Sequence, residues 1–323
     1  MTQASLGVRT PRFVQLQQDD PAAVRAELAA GLQASAAFTH PKYLYDALGS
    51  RLFEAMTELP EYYPTRTEAA IFALHAAEMA ALLPAAMTLV DLGAGNCEKA
   101  ARLFEVLRPA RYVAVDISVA FLQAALQSLQ RQHPALDMVG VGLDFSAHLT
   151  LPLEAGAGQR LLFYPGSSIG NFTPAQALVF LRQARQAAQG GGLLIGVDLV
   201  KPVSVLLPAY DDALGLTAAF NRNMLLHINR LLGSDFDVAQ WRHRALYSTQ
   251  HARIEMHLDA VQDLTVRWPG AQRSFRQGEG IHTENSCKYT PAQFEALLRA
   301  AGFSQVSQWR GAQDWFAVFL ARA

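Results

Sequence analysis

Leu89-Val90-Asp91-Leu92-Gly93-Ala94-Gly95-Asn96-Cys97-Glu98-Lys99, running on into Ala100-Ala101-Arg102-Leu103-Phe104, decides how the rest of the chain is read. It begins as a short buried strand, turns through two glycines and continues as an amphipathic helix. Gly93 and Gly95 let backbone approach a ligand closely, and the helix after them aims its first amides at it. The next strand-like run, Tyr112-Val113-Ala114-Val115, closes on Asp116. A carboxylate at that place suits ribose hydroxyls in nucleotide-binding sheets.

Outward from this turn, strand and helix alternate. Strands are expected at 88–92, 112–116, 138–143, 160–164 and 192–199, with helices at 99–107, 119–131 and 174–188. Thr173-Pro174 supplies an N-cap and a first helical residue. Such alternation predicts an α/β, doubly wound parallel sheet covered on both faces. Thr290-Pro291 opens a helix that Gly302 ends. The runs 305–309 and 315–323 then form an antiparallel hairpin, which brings the sheet to seven strands.

Between 200 and 287 the alternation stops. A helix-like run at 210–231 precedes strand-like runs at 241–247, 253–259 and 263–268. In the second of these Ile254, Met256 and Leu258 share one face, and Arg253, Glu255 and His257 the other. Two helices are expected near the N-terminus, at 21–37 and 43–57. The segment Leu59-Pro60-Glu61-Tyr62-Tyr63-Pro64 should then leave the helix, with a restart at Thr65 or Thr67. The chain thus divides into a nucleotide-binding core, 64–200 with 287–323, and a smaller substrate-binding lobe, 20–63 with 201–286. The lobe would cover the carboxyl end of the sheet, where ligands bind in open parallel sheets. If the first and fourth strands are neighbours, the Gly93 turn and the loop Pro165-Gly166-Ser167-Ser168-Ile169-Gly170-Asn171-Phe172 face one crevice.

The chain has 323 residues, 51% hydrophobic and 17% charged, which fits a well-buried globular protein of two lobes. A net charge of −1 gives no electrostatic reason to expect nucleic acid. Two cysteines, Cys97 and Cys287, make no disulfide framework and point to a reducing compartment. Residues 1–20 lack a cleavable signal pattern, and no apolar run approaches the roughly 20 residues of a membrane helix. A soluble cytoplasmic protein is expected. No metal is expected either: strand alternation puts Glu255 and His257 on a solvent face, and the histidines do not cluster. Cys97, at a helix N-terminus, reads either as a thiol of lowered pKa or, preferably, as a small residue tolerated in the turn.

A dinucleotide fingerprint needs a third glycine where Glu98 stands, and no phosphate-loop motif exists. The strand–Asp-x-Gly-x-Gly–helix turn, Asp116, and Asp144-Phe145 after the third strand together resemble class I S-adenosylmethionine-dependent methyltransferases. That resemblance implies Gly93 at the methionine part of the cofactor, Asp116 at the ribose, and Asp144 with Phe145 at the adenine. Without it, Asp144 reads equally as a helix cap and Phe145 as core.

The motifs Tyr45-Asp46-Ala47-Leu48-Gly49-Ser50-Arg51-Leu52-Phe53-Glu54 and Leu59-Pro60-Glu61-Tyr62-Tyr63-Pro64-Thr65-Arg66-Thr67-Glu68 are more specific. With residues 164–171, Tyr210-Asp211-Asp212, Ile254-Glu255-Met256 and Glu284-Asn285-Ser286, they resemble the histidine-specific Nα-methyltransferases of ergothioneine biosynthesis over nearly the whole chain. The resemblance implies a two-lobed monomer that methylates the α-amine of L-histidine three times, giving hercynine. It places Asn171 and Tyr210 at the carboxylate and amine, and Tyr45, Tyr62 and the Gly166 backbone around the amine and ring. Tyr45, Asn171 and Gly166 lie nearest the reacting nitrogen. Met256, Glu284 and Ser286 receive the imidazole, and Gly93, Lys99, Asp116, Asp144 and Phe145 hold the cofactor. One departure is Asn96-Cys97, where other members carry Thr-Ser or similar.

Chemistry fits these roles. Displacement at a sulfonium carbon needs positioning more than a strong base, so Glu284 is assigned to substrate choice, leaving apolar rings to strand it unpaired. The alternatives are an enzyme for another amino acid such as tryptophan, a cofactor-binding regulatory module, and a nucleic-acid methyltransferase. The last would carry a basic face.

Overall fold

The computed structural model describes residues 9–16, 20–146 and 148–322. Most of the 1–20 stretch read for a signal lies outside them. Six strands come first: β1 (Arg12–Gln15), β2 (Thr88–Leu92), β3 (Arg111–Asp116), β4 (Asp137–Gly142), β5 (Arg160–Tyr164) and β6 (Gly192–Asp198). Five follow in the insertion: β7 (Trp241–Ser248), β8 (Arg253–Ala260), β9 (Leu264–Trp268), β10 (Ala271–Phe275) and β11 (Gly280–Cys287). The last two are β12 (Gln305–Arg310) and β13 (Phe316–Arg322).

The main sheet runs β1-β4-β3-β2-β5-β6-β13-β12, with only β13 antiparallel to β6 and to β12. It has eight strands where seven were expected. The eighth is β1, which lies parallel on β4 with Phe13 opposite Gly140. A Cβ at Gly140 would come within 2.6 Å of the Phe13 ring, so the glycine makes the room. β1 is short and half exposed, which leaves it no alternation to read. β2 does lie between β3 and β5, so strand order reverses at the Gly93 turn. Strands β2 to β6 are almost wholly buried and apolar on both faces, as a covered parallel sheet demands. Val90, Val113, Leu162 and Phe319 pack on one side; Leu89, Tyr112, Phe163 and Phe316 pack on the other.

Helix boundaries moved where capping chemistry decides them. Helices Pro174–Ala187 and Pro291–Ala300 open on complete capping boxes at Thr173 and Thr290. The helix expected to restart at Thr65 or Thr67 instead begins at Tyr63 and runs to Ala81. Pro64 sits in its first turn, where an N–H is not needed, so Tyr63 is buried inside the helix rather than in a connector. The 99–107 helix divides into Glu98–Ala101 and Phe104–Leu107. The 43–57 run becomes a 3₁₀ turn, Pro41–Leu44, and a helix, Ala47–Thr57, whose N-cap Asp46 accepts the Gly49 amide at 2.7 Å. The 210–231 run starts as a helix only at Leu216, where Asp212 accepts the Leu216 and Thr217 amides at 3.0 and 2.7 Å.

The insertion makes a three-stranded antiparallel sheet, β11-β8-β7, and the hairpin β9-β10. These pack with helices Pro21–Gln33, Ala47–Thr57 and Leu216–Leu232 around a separate core that includes Leu28, Leu44, Phe220, Ile228, Trp241 and Leu258.

Candidate active site

The Gly93 turn is held from below. Gly93 and Ala94 donate their amides to the Val115 carbonyl at 2.9 and 3.1 Å. Gly93 and Gly95 have φ of +73° and +52°, the left-handed region a side chain resists. Asp116 at the end of β3 accepts the Gly95 amide on one carboxylate oxygen (2.9 Å) and the Ser118 amide on the other (2.8 Å). Burial raises its pKa against those amide bonds. Each oxygen keeps a lone pair for a further donor. Nothing stands within 4 Å of a Cβ placed on Gly95, and the Phe145 ring lies 3.8 Å from one placed on Gly93. A concave backbone turn, a carboxylate beside it and an aromatic ring over it fit the ribose and adenine of S-adenosylmethionine.

Asp144 accepts the Ser146 amide at 3.0 Å and pairs with Lys42 at 3.5 Å. It caps a turn and not the start of a helix. Phe145 meets Tyr164 edge-on at 5.7 Å. Lys99 pairs at 2.8 Å with Glu68, whose other oxygen accepts the Gly166 amide at 2.8 Å. Glu68, named above only as the last residue of a family motif, is 1% exposed and ties the cofactor turn to the Gly166 loop. Cys97 takes a left-handed backbone (φ +64°), and its thiol is buried. Burial pushes its pKa up to about 12, so the lowered-pKa reading is overturned.

The opposite wall is built on β8 and β11. Their register runs His282↔His257 and then Glu284↔Met256, so Thr283 is an extra residue, a β-bulge. Strict alternation would have put Glu284 on the His282 face. The bulge turns Glu284 and Ser286 to the side of Met256 and Ile254 instead. Met256 and Ser286 are buried, and Glu284 is half-buried. The 3₁₀ turn Ser168–Asn171 packs on this strand so closely that a Cβ at Gly170 would meet the Cys287 carbonyl oxygen at 3.0 Å. With its amide oriented to satisfy its neighbours, Asn171 donates to Glu284 Oε1 at 3.2 Å and to the Asn285 carbonyl at 3.1 Å. Burial raises the Glu284 pKa to about 7, with Lys288 and Asn171 pulling it down.

Three tyrosines close the space. Tyr45 packs edge-on against Phe53 and Phe220 at 5.6 and 5.5 Å, and its carbonyl accepts the Ser118 hydroxyl at 3.0 Å. Burial, then the Glu284 charge, lifts its pKa far above the usual phenol, so it stays neutral. Tyr62 is raised by burial and by its neighbours Tyr210 and Tyr45. The Tyr210 hydroxyl lies 2.7 Å from Ser286 Oγ. Gly93, Lys99, Asp116 and Phe145 therefore collect on one side, and Tyr45, Tyr62, Asn171, Tyr210, Met256, Glu284 and Ser286 on the other, with Gly166 at the seam.

The sequence reading missed a buried polar cluster behind Tyr210. Asp198, at the end of β6, binds Lys288 at 2.8 Å, accepts the Tyr63 hydroxyl at 2.7 Å and pairs with Lys201 at 2.5 Å. No motif flagged Asp198, Lys201 or Lys288, because lone charged residues read as surface. Glu255, His257 and His282 lie closer together than expected. Their ligand atoms fall within 4.8 Å and Glu255 and His257 are partly buried, not on an open solvent face. Arg253 already engages Glu255 through Nε at 2.7 Å, which supplies the positive charge a cation would otherwise bring.

Residues 24–323 match the family described as histidine-specific methyltransferase, SAM-dependent. The histidine N-alpha-methyltransferase of Mycolicibacterium smegmatis is 41% identical over 307 residues, 93% of this chain and 94% of that protein. The protein of that name from Mycobacterium tuberculosis is 40% identical over 306 residues, with the same coverage. Ergothioneine biosynthesis protein 1 of Neurospora crassa is 31% identical over 87% of this chain, which spans 32% of its length. With this match over residues 24–323 and relatives at 40% identity over most of its length, the chain belongs to the S-adenosylmethionine-dependent, histidine-specific methyltransferases.

Proposed function

We propose that this protein transfers methyl groups from S-adenosylmethionine to the α-amine of L-histidine, three times, giving hercynine for ergothioneine biosynthesis. The observation that carries this reading is the half-buried carboxylate of Glu284, re-aimed by a bulge and joined to Asn171, near Tyr45, which also feels Asp116. When bound, the cofactor supplies an electrophilic methyl on a sulfonium; Gly93, Lys99, Asp116, Asp144 and Phe145 would hold it.

The chain's own residues then do three things. Neutral Tyr45, the Asn171 carbonyl and the Gly166 backbone orient the amine without adding a charge that would tie up its lone pair. Glu284 accepts an imidazole N–H, with Met256 and Tyr62 against the ring. Asn171 spends its N–H donors on Glu284 and Asn285, so it serves the amine, and the substrate carboxylate falls to Tyr210. Positioning of this kind supplies much of the acceleration of a bimolecular displacement. The three methylations demand that the amine side stay acceptor-lined and roomy, which uncharged groups provide.

We propose a two-lobe division at 64–200 with 287–323 against 20–63 with 201–286, which the separate core around Phe220, Trp241 and Leu258 supports. We read the protein as a cytoplasmic monomer; no helix among the described residues is long and apolar enough to cross a membrane. Incubation with labelled S-adenosylmethionine and each of the twenty amino acids, with mass detection, should give mono-, di- and trimethylated histidine. Preference for tryptophan or another amino acid overturns the substrate. Light scattering on the purified protein tests the monomer.

A further inference from the structure

Resting on that reading, the geometry points to Lys288 as the positioning residue that fixes the Tyr210–Ser286 hydroxyl pair so that one hydroxyl hydrogen is left to donate to the substrate carboxylate, and sets a buried positive charge behind it. Lys288 is 2% exposed, and its ammonium has three N–H groups. They go to Asp198 Oδ2 (2.8 Å), Tyr210 Oη (2.9 Å) and Ser286 Oγ (2.6 Å), so none is left over. Tyr210 Oη and Ser286 Oγ are 2.7 Å apart.

Counting hydrogens decides the polarity. Because Lys288 donates to both oxygens, neither hydroxyl can point its hydrogen at Lys288. Of the two hydroxyl hydrogens, one fills the Tyr210–Ser286 contact. The other finds no further acceptor among the described residues. A buried donor left unpaired is costly. It is therefore held for an acceptor that arrives with the substrate.

Charge points the same way. Burial alone would favour a neutral Lys288 amine, but Asp198 and Tyr210 outweigh it and hold the ammonium charged. Lys288 and Lys201 together face one carboxylate, Asp198, within hydrogen-bonding distance. Among the described residues only that carboxylate touches the two ammoniums, although Glu284 also feels the Lys288 charge. A substrate carboxylate accepts the spare O–H and is drawn by the Lys288 charge behind it. An alcohol in its place accepts the O–H but brings no charge, and a hydrogen atom does neither.

Lys288→Met removes the charge and all three N–H groups while Asp198 keeps Lys201 and Tyr63. Calorimetry on protein saturated with S-adenosylhomocysteine should show L-histidine binding weakened about 10- to 100-fold, the loss of a charge-assisted contact. Affinity for L-histidinol, which lacks the carboxylate, should change less than about threefold, within the scatter of a near-neutral contact. Lys288→Arg should recover part of the discrimination. Equal losses for both ligands, or unchanged histidine binding, overturn the proposal. Wild type alone gives an independent check should the variant not fold. It must prefer histidine to histidinol by at least about tenfold, the value of one charged hydrogen bond, and a ratio near one overturns the role. Failure of wild type to bind histidine while it binds S-adenosylhomocysteine overturns the substrate reading instead, and the role of Lys288 with it.

Discussion

Replacing Glu284 by Gln tests whether this carboxylate is kept for the substrate at the expense of the fold. The variant preserves the side chain's shape but removes its titration. Burial holds the Glu284 pKa at about 7, where the ordinary value is 4.5. The native state thus binds this proton more tightly than the unfolded chain does. Stability from the group is fully present below about 4.5 and is lost as pH rises through about 7. At about 1.36 kcal/mol for each pH unit between the two values, the loss is about 3 kcal/mol. Relative to wild type, Glu284→Gln should gain about 3 kcal/mol between pH 4.5 and 8, read by urea unfolding at a series of pH values. Asp91, His243, His257 and His282 are shifted in both proteins and cancel in the difference. The same variant should bind L-histidine about 10- to 100-fold more weakly, because an amide is a poorer acceptor than a carboxylate. A stability difference that does not vary with pH, or that moves against the variant as pH rises, refutes the reasoning.

Deleting Thr283 should remove the bulge yet leave Glu284 opposite Met256 and Ser286 opposite Ile254; L-histidine and S-adenosylhomocysteine binding by calorimetry should both survive, and loss of L-histidine binding alone would refute Thr283 as the extra residue. Asp116→Ala leaves the Gly95 and Ser118 amides without their acceptor, so S-adenosylhomocysteine affinity should fall about 10- to 100-fold, and an unchanged affinity argues against the ribose assignment. Gly196→Ala would put a Cβ 2.0 Å from Glu68 Oε1. It should cost about 1–3 kcal/mol in urea unfolding and lower kcat/KM by displacing Lys99 and Gly166 together, and wild-type turnover would sever that link.

The parallel core was legible because each of its constraints is local. Strands β2 to β6 carry continuous apolar runs, and Thr173-Pro174 and Thr290-Pro291 announce their helices by side-chain chemistry that needs no tertiary partner. The site was legible only through its family motifs. Alternation along β11 gives Glu284 the wrong face, and nothing in Thr283 marks it as the extra residue. β1 was hidden because its pairing depends on an empty volume at Gly140, far away in sequence. Glu68 and Lys288 were passed over for the same reason. A charged residue's burial is decided by partners 30 to 100 residues away, here Lys99 and Gly166 for one and Asp198 and Tyr210 for the other.

Those two charges carry the synthesis one step further. Glu68 joins the helix Tyr63–Ala81 to the cofactor turn through Lys99 and to the Gly166 loop through its amide. Lys288 and Asp198 join the end of β6 to β11, and through Tyr63 to the start of that same helix. Both halves of the pocket are therefore referred to one helix by buried, charge-assisted bonds, which tolerate little slack. Buried pairs of this kind add little net stability compared with apolar packing. On the proposed assignment, what they would provide is a fixed distance between the groups for the methyl donor and those for the substrate carboxylate. Displacement at carbon requires reacting atoms within about 3–3.5 Å and aligned, so a rigid frame between two separately built cores is the property that catalysis needs. Loss of either charge should then lower turnover more than it lowers the unfolding midpoint.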